Sequence, residues 1–155
     1  MRKTIVAFAI AVVMVSAVGS EAAGSDKTDV MATVHQFTDS LNKGDTKTAL
    51  AGCAASSSII DEFPPHEWQG ATACADWANA FEAYNKENGI ADPIATLGKP
   101  KHVDITGDRA YVVVPATYTY KQNGKRVTES GSILTVALQK SAAGWRMTAW
   151  TWAKH

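Results

Sequence analysis

The sequence predicts an α+β domain in which three N-terminal helices cover one face of a curved, antiparallel-rich β-sheet. Three observations predict it. Residues 109–153 divide into three long stretches rich in Val, Thr, Tyr, Ile and Trp, separated by KQNGK and SAAGW; these residues fit a pleated, half-buried surface. Upstream, two stretches repeat apolar residues at steps of three and four, the period of an amphipathic helix. Finally, the order helix, short helix, strand, helix and then a four-strand meander segregates the helices to one side of the sheet.

From the N-terminus, Arg2 and Lys3 precede an uncharged apolar run, Ile5 to Val18, too short to span a membrane. Small residues follow, and Ser20-Glu21-Ala22 provides a cleavage site before Ala23, with Val18-Gly19-Ser20 a second option. Residues 1–22 therefore read as a signal peptide, and the expected location is periplasmic or secreted. The mature chain of about 133 residues is one domain able to bury a single core. Without Arg2, Lys3 and Glu21, the 15 basic and 15 acidic residues leave a charge of about −1, with Lys and Arg scattered. That balance argues against nucleic acid, and against a membrane surface once the leader is removed, since both need a basic face.

Residues 23–28 read as a mobile polar lead-in. The first helix starts at Asp29, with Val30, Val34, Phe37 and Leu41 on one stripe, and Gly44 suits the left-handed position that ends it. Asp45 starts a short helix over 46–52. Ser56 to Phe63 reads as a short strand stopped by Pro64-Pro65, and residues 66–70 as a loop carrying an exposed Trp68. Cys74, Trp77, Phe81 and Tyr84 form the stripe of a third helix over 71–86. Ile90 to Pro100 reads as irregular, punctuated by Pro93, Gly98 and Pro100. Lys101 to Thr106 opens the meander, and Gly107-Asp108 turns it. Pro115, inside the next strand, requires an unpaired edge or a bulge. Asn123-Gly124 is a strong two-residue hairpin turn, because both positions tolerate positive φ.

The two cysteines, Cys53 and Cys74, permit one disulfide in an oxidising compartment; two buried free thiols are the alternative. With no nearby His or Cys to complete a tetrahedral set, no metal site is expected. No phosphate loop, G-x-S-x-G or H-E-x-x-H pattern occurs, and no cofactor is implied.

The Gly44-Asp45 break, SIIDEF followed by a loop, Gly70 and a helix, and the closing GDRAYVVV…NGK…LTVALQK…GWRMTAW together resemble the nuclear transport factor 2-like superfamily. This superfamily includes the SnoaL-like cyclases and ketosteroid isomerase, and the resemblance covers residues 29–153. It implies a cone-shaped sheet with a pocket between its concave face and the helices. Candidates to line that pocket are Asp61, Trp68, Trp77, Tyr118, Glu129, Thr135, Trp150 and Trp152. Asp61 occupies a place like that of the isomerase's catalytic aspartate, and burial among tryptophans would raise its pKa toward general-base range. The partners of that chemistry are missing. Phe37 falls where the isomerase has its oxyanion-hole tyrosine, and Thr135 where it has a protonated aspartate. His66 is the candidate acid–base partner of Asp61, ahead of His35 and His102. Glu129 and Thr135 join the pocket together if one strand register holds; in the other, Glu129 is solvated. Apolar residues on both faces of Ile133 to Leu138 predict a homodimer through the outer sheet face, as is common in this superfamily.

Three functions fit these features: an exported module that binds a small apolar or aromatic molecule or makes protein contacts, a cofactor-free isomerase, cyclase or dehydratase with Asp61 as base, and a dimerisation domain whose pocket is filled by its own side chains.

Overall fold

The computed structural model describes residues 19–154, and α1 (Gly19–Asn42), α2 (Thr46–Leu50) and α3 (Ala73–Glu87) are its three helices. The strands are β1 (Cys53–Ile60), β2 (Glu67–Gly70), β3 (Ile90–Leu97), β4 (His102–Thr106), β5 (Arg109–Gln122), β6 (Lys125–Ser141) and β7 (Gly144–Ala153). They form one seven-stranded sheet in the order β2-β1-β7-β6-β5-β3, with β4 also on β5. The sheet is mixed: β1 runs parallel to β7, and the other pairings are antiparallel. It is curved and unclosed, with the helices on its concave face. The charged leader and the apolar run to Val18 lie outside the described residues.

Alternation along the strands sets the core. Val112, Val114, Val136, Leu138 and Met147 point inward and pack with Ile59 from β1 and with Val30, Val34 and Phe37 from α1. Each of these large aliphatic side chains contributes roughly 2 kcal/mol by leaving water. The stripes read on α1 and α3 are the faces that meet the sheet.

Three local expectations change. Residues 24–28 are helical: Thr28 bonds back to the Gly24 carbonyl, and Asp26 pairs with Lys140 on β6. That tether to β6 holds the segment as helix where polarity alone suggested a mobile lead-in. Residues 67–70 are a strand, because Trp68 pairs opposite Ile59. Ile90–Leu97 is also a strand on β5; Pro93 and Asp92, the latter at φ +52°, fall where the register slips between Ala91 and Ile94. A bulge there absorbs the proline that a regular ladder would reject. Pro115 is accommodated differently, lying between the end of β3 at Leu97↔Ala116 and the start of β4 at His102↔Val113.

Cys53 and Cys74 are joined by a disulfide that ties the start of β1 to the first turn of α3, across a sequence separation of 21. Closing a loop of that size restricts the unfolded chain by about 3 kcal/mol. The double variant Cys53→Ala/Cys74→Ala is expected to lose about that much unfolding free energy in urea. Dithiothreitol should then destabilise the parent and leave the double variant unmoved.

Candidate functional site

Four structural devices converge on one cavity. The first is the end of β1. Ile59 points inward opposite Trp150, so its neighbour Ile60 points out and Asp61 returns to the inner side. The strand stops there because Pro64-Pro65 follows, and the Asp61 N–H donates to the His66 carbonyl at 3.1 Å to close the turn. The second is α3, which brings Trp77, Phe81 and Tyr84 in at helical spacing. The third is a bulge in β6. Ser132 pairs with Ala116 but Ser130 pairs with Thr117, leaving Gly131 as the extra residue at φ +87°. Beyond it the inward parity of β6 switches from even to odd, so Leu134 and Glu129 both face the cavity. The fourth is a hook between α1 and β3: the Asn42 side-chain amide donates to the Ala95 carbonyl and accepts from the Ala95 N–H, both at 2.8 Å.

The cavity measures about 150 Å³, about the size of one that accepts a benzene ring. Phe37, Trp77 and Trp150 pack together at its inner end, with ring centroids 4.7–5.8 Å apart. Trp77 also stacks on Phe81 at 5.4 Å, the two planes 12° apart. Tyr118, Tyr120 and Trp152 form the wall on the sheet side.

Asp61 is 9% exposed and is held at both oxygens. The Trp77 indole N–H donates to Oδ2 at 2.8 Å, and the Glu62 N–H to Oδ1 at 2.7 Å. Burial pushes its pKa up to about 6, against the opposing pull of these two bonds. Near the other end of the site stand Glu62, Glu129, Tyr120 and Lys154. Glu129 Oε1 accepts from the Tyr120 hydroxyl at 2.9 Å and from Lys154 Nζ at 2.8 Å. Lys154 also lies 3.8 Å from Glu62. Its bond to Glu129 raises its pKa, while burial raises those of Glu62 and Tyr118. Several buried polar atoms on the cavity's residues have no partner among the described residues: Asn85 Oδ1, the Tyr118 hydroxyl, Glu129 Oε2 and Trp150 Nε1.

Asp61, Trp77, Tyr118, Glu129, Trp150 and Trp152 therefore come together as the sequence proposes. Three residues do not join them. Trp68 is buried behind Phe63, with centroids 5.1 Å apart, because β2 carries it into the core. Thr135 faces outward, opposite Val113 and Thr151: the bulge that admits Glu129 excludes it. His66 is exposed, and its Nδ1 lies 3.2 Å from the Asp61 backbone oxygen rather than on the carboxylate. Glu62, Tyr84, Asn85, Tyr120 and Lys154 line the cavity without having been singled out. Tyr120 shares the parity of Tyr118, and Lys154 that of Trp150 and Trp152, so both carried a readable sign.

No protein-family model matches the sequence, and no curated protein does either. Solved structures do match. An NTF2-like protein with a cystatin-like fold from Novosphingobium aromaticivorans superposes with a TM-score of 0.72 at 15% identity, over 91% of each chain. A nuclear transport factor 2-like superfamily protein from Salmonella enterica serovar Typhimurium gives 0.72 at 16% identity, over 85% of this chain and 92% of its own. This chain has the nuclear transport factor 2-like fold. A ketosteroid isomerase-like protein from Erwinia carotovora atroseptica shares that fold at a TM-score of 0.66 and 17% identity, over 83% of this chain and 95% of its own. Identities this low carry the fold, and what the cavity does is argued from its own residues.

Proposed function

We propose that this protein is an exported binding module whose cavity holds a small, single-ring molecule, and that it works as a homodimer. The observation that carries the reading is the aromatic-walled space of about 150 Å³ that retains a buried carboxylate and unpartnered polar atoms. A pocket filled by its own side chains would leave no such room. Mostly apolar walls with a few convergent polar groups are what small-molecule sites are made of. Export is supported by the leader-like N-terminus and by the Cys53–Cys74 bridge, which persists in oxidising compartments. The dimer is supported by the outer sheet face. Its central row, Ile60–Thr151–Thr135–Val113, is uncharged, and Ile60 there is 57% exposed.

Native mass spectrometry of the protein purified from its source compartment is expected to show twice the chain mass and a small adduct. Ala95→Phe, which pushes a ring in from the half-buried β3 wall, is expected to remove the adduct while keeping the assembly. A bare monomer would refute both parts.

A second reading, a cofactor-free isomerase, cyclase or dehydratase, draws on Asp61 as a cavity carboxylate poised near pH 6. No histidine of the described residues hydrogen-bonds that carboxylate, which places binding ahead of catalysis. Exchange of a small ketone's α-proton, catalysed by the parent and lost in Asp61→Asn, would reverse the order.

A further inference from the structure

We infer that the cavity selects a small aromatic amine, a single ring carrying a positively charged ammonium group. The inference rests on the binding reading above and names its ligand class. The charged residues lining the space are Asp61, Glu62, Glu129 and Lys154, three acids against one base. Glu129 Oε1 is occupied by Tyr120 and Lys154, but its Oε2 is buried without a partner among the described residues. Each Asp61 oxygen accepts one protein donor and keeps a lone pair. These acceptors call for N–H or O–H donors from the ligand. A carboxylate ligand would add a fourth negative charge and offer no donor.

Between an alcohol and an ammonium, the walls decide. Trp77, Phe81, Tyr84 and Trp150 line the same space, and a cation within about 6 Å of an aromatic ring face is attracted by its quadrupole. An ammonium also supplies three donors to acceptors on several sides, where a hydroxyl supplies one. Lys154 does not forestall this: its side chain is 52% exposed and can leave Glu129 for solvent when a cation arrives. The ring of the ligand is required separately. Trp150 is 5% exposed, and its indole N–H has no partner among the described residues. The π-face of a ligand ring would receive it.

Benzylamine, benzyl alcohol and benzoate share a ring and differ in headgroup charge, and each is small enough for the space. Titrated into the full mature protein at pH 7.5 and followed by calorimetry, benzylamine is expected to bind at least about tenfold tighter than benzyl alcohol. Benzoate is expected not to bind. Glu129→Gln should narrow the amine's advantage to within about threefold, and Asp61→Asn should do the same if circular dichroism shows it folded. Equal or weaker binding of the amine, with the alcohol still bound, would overturn the choice of ligand and leave the binding reading standing. Failure of all three probes would overturn both.

Discussion

Trp77→Ala is expected to lower the unfolding free energy by about 4 kcal/mol, the largest single loss predicted for this chain. Trp77 is 4% exposed and meets Phe37, Phe81 and Trp150, so truncation opens a void that rigid neighbouring rings cannot close. It also removes the indole N–H that holds Asp61 Oδ2. The two losses can be separated. Trp77→Phe keeps most of the volume and deletes the donor alone, leaving a buried carboxylate oxygen short of a partner. That costs about 1–3 kcal/mol while Asp61 is ionised and much less once it is protonated. Urea unfolding of both variants at pH 4 and pH 7.5 reads the difference: Trp77→Ala should be severe at both, Trp77→Phe chiefly at the higher pH. A Trp77→Phe penalty that is the same at both pH values would show that the indole N–H does not support the charged form of Asp61.

The architecture was legible because its determinants are local. Asn123-Gly124 places the β5–β6 turn, Val30, Val34 and Phe37 mark the buried face of α1, and Trp77, Phe81 and Tyr84 mark that of α3. Two strands were missed because their sequences carry signs of a loop. Glu67–Gly70 is four residues long and follows two prolines, and Ile90–Leu97 holds Pro93; both are strands because a neighbouring strand supplies the partner. The site was half legible for a related reason. Asp61, Trp150 and Trp152 follow from strand parity, but Gly131 inserts one residue into β6 and changes that parity midway. A reading with constant alternation had to take Glu129 and Thr135 together, and the bulge separates them. Trp68 is exposed only in a loop; on β2, opposite Ile59, it is core. Lys154 continues the alternation of Trp150 and Trp152 one residue past the end of β7, and from there it reaches Glu129.

Asp61 should also make the protein more stable in mild acid than at neutral pH. Its pKa is about 6 in the folded chain against 3.8 as the ordinary value, so the native state binds the proton more tightly than the unfolded state does. The contribution is present in full below pH 3.8 and is lost as pH rises through 6. At about 1.4 kcal/mol per pH unit, the loss is about 3 kcal/mol by pH 7.5. Glu62, also raised by burial, acts in the same direction; Asp26 and Asp45, held low by their hydrogen bonds, act in the opposite one. The difference between the parent and Asp61→Asn isolates the group, because the amide does not titrate. It has a cost of its own: an amide offers one acceptor oxygen, and two donors, the Trp77 and Glu62 N–H groups, need one each. That penalty is constant with pH and drops out of the slope. Urea unfolding at half-unit steps from pH 4 to 7.5 should therefore show the parent losing about 3 kcal/mol relative to Asp61→Asn, mostly between pH 4 and 6. A parent-minus-variant difference that is flat with pH would mean that the carboxylate is as well solvated in the fold as in the open chain. A cation binding beside it would reverse the burial effect and restore stability at neutral pH, so saturating benzylamine should flatten the same curve.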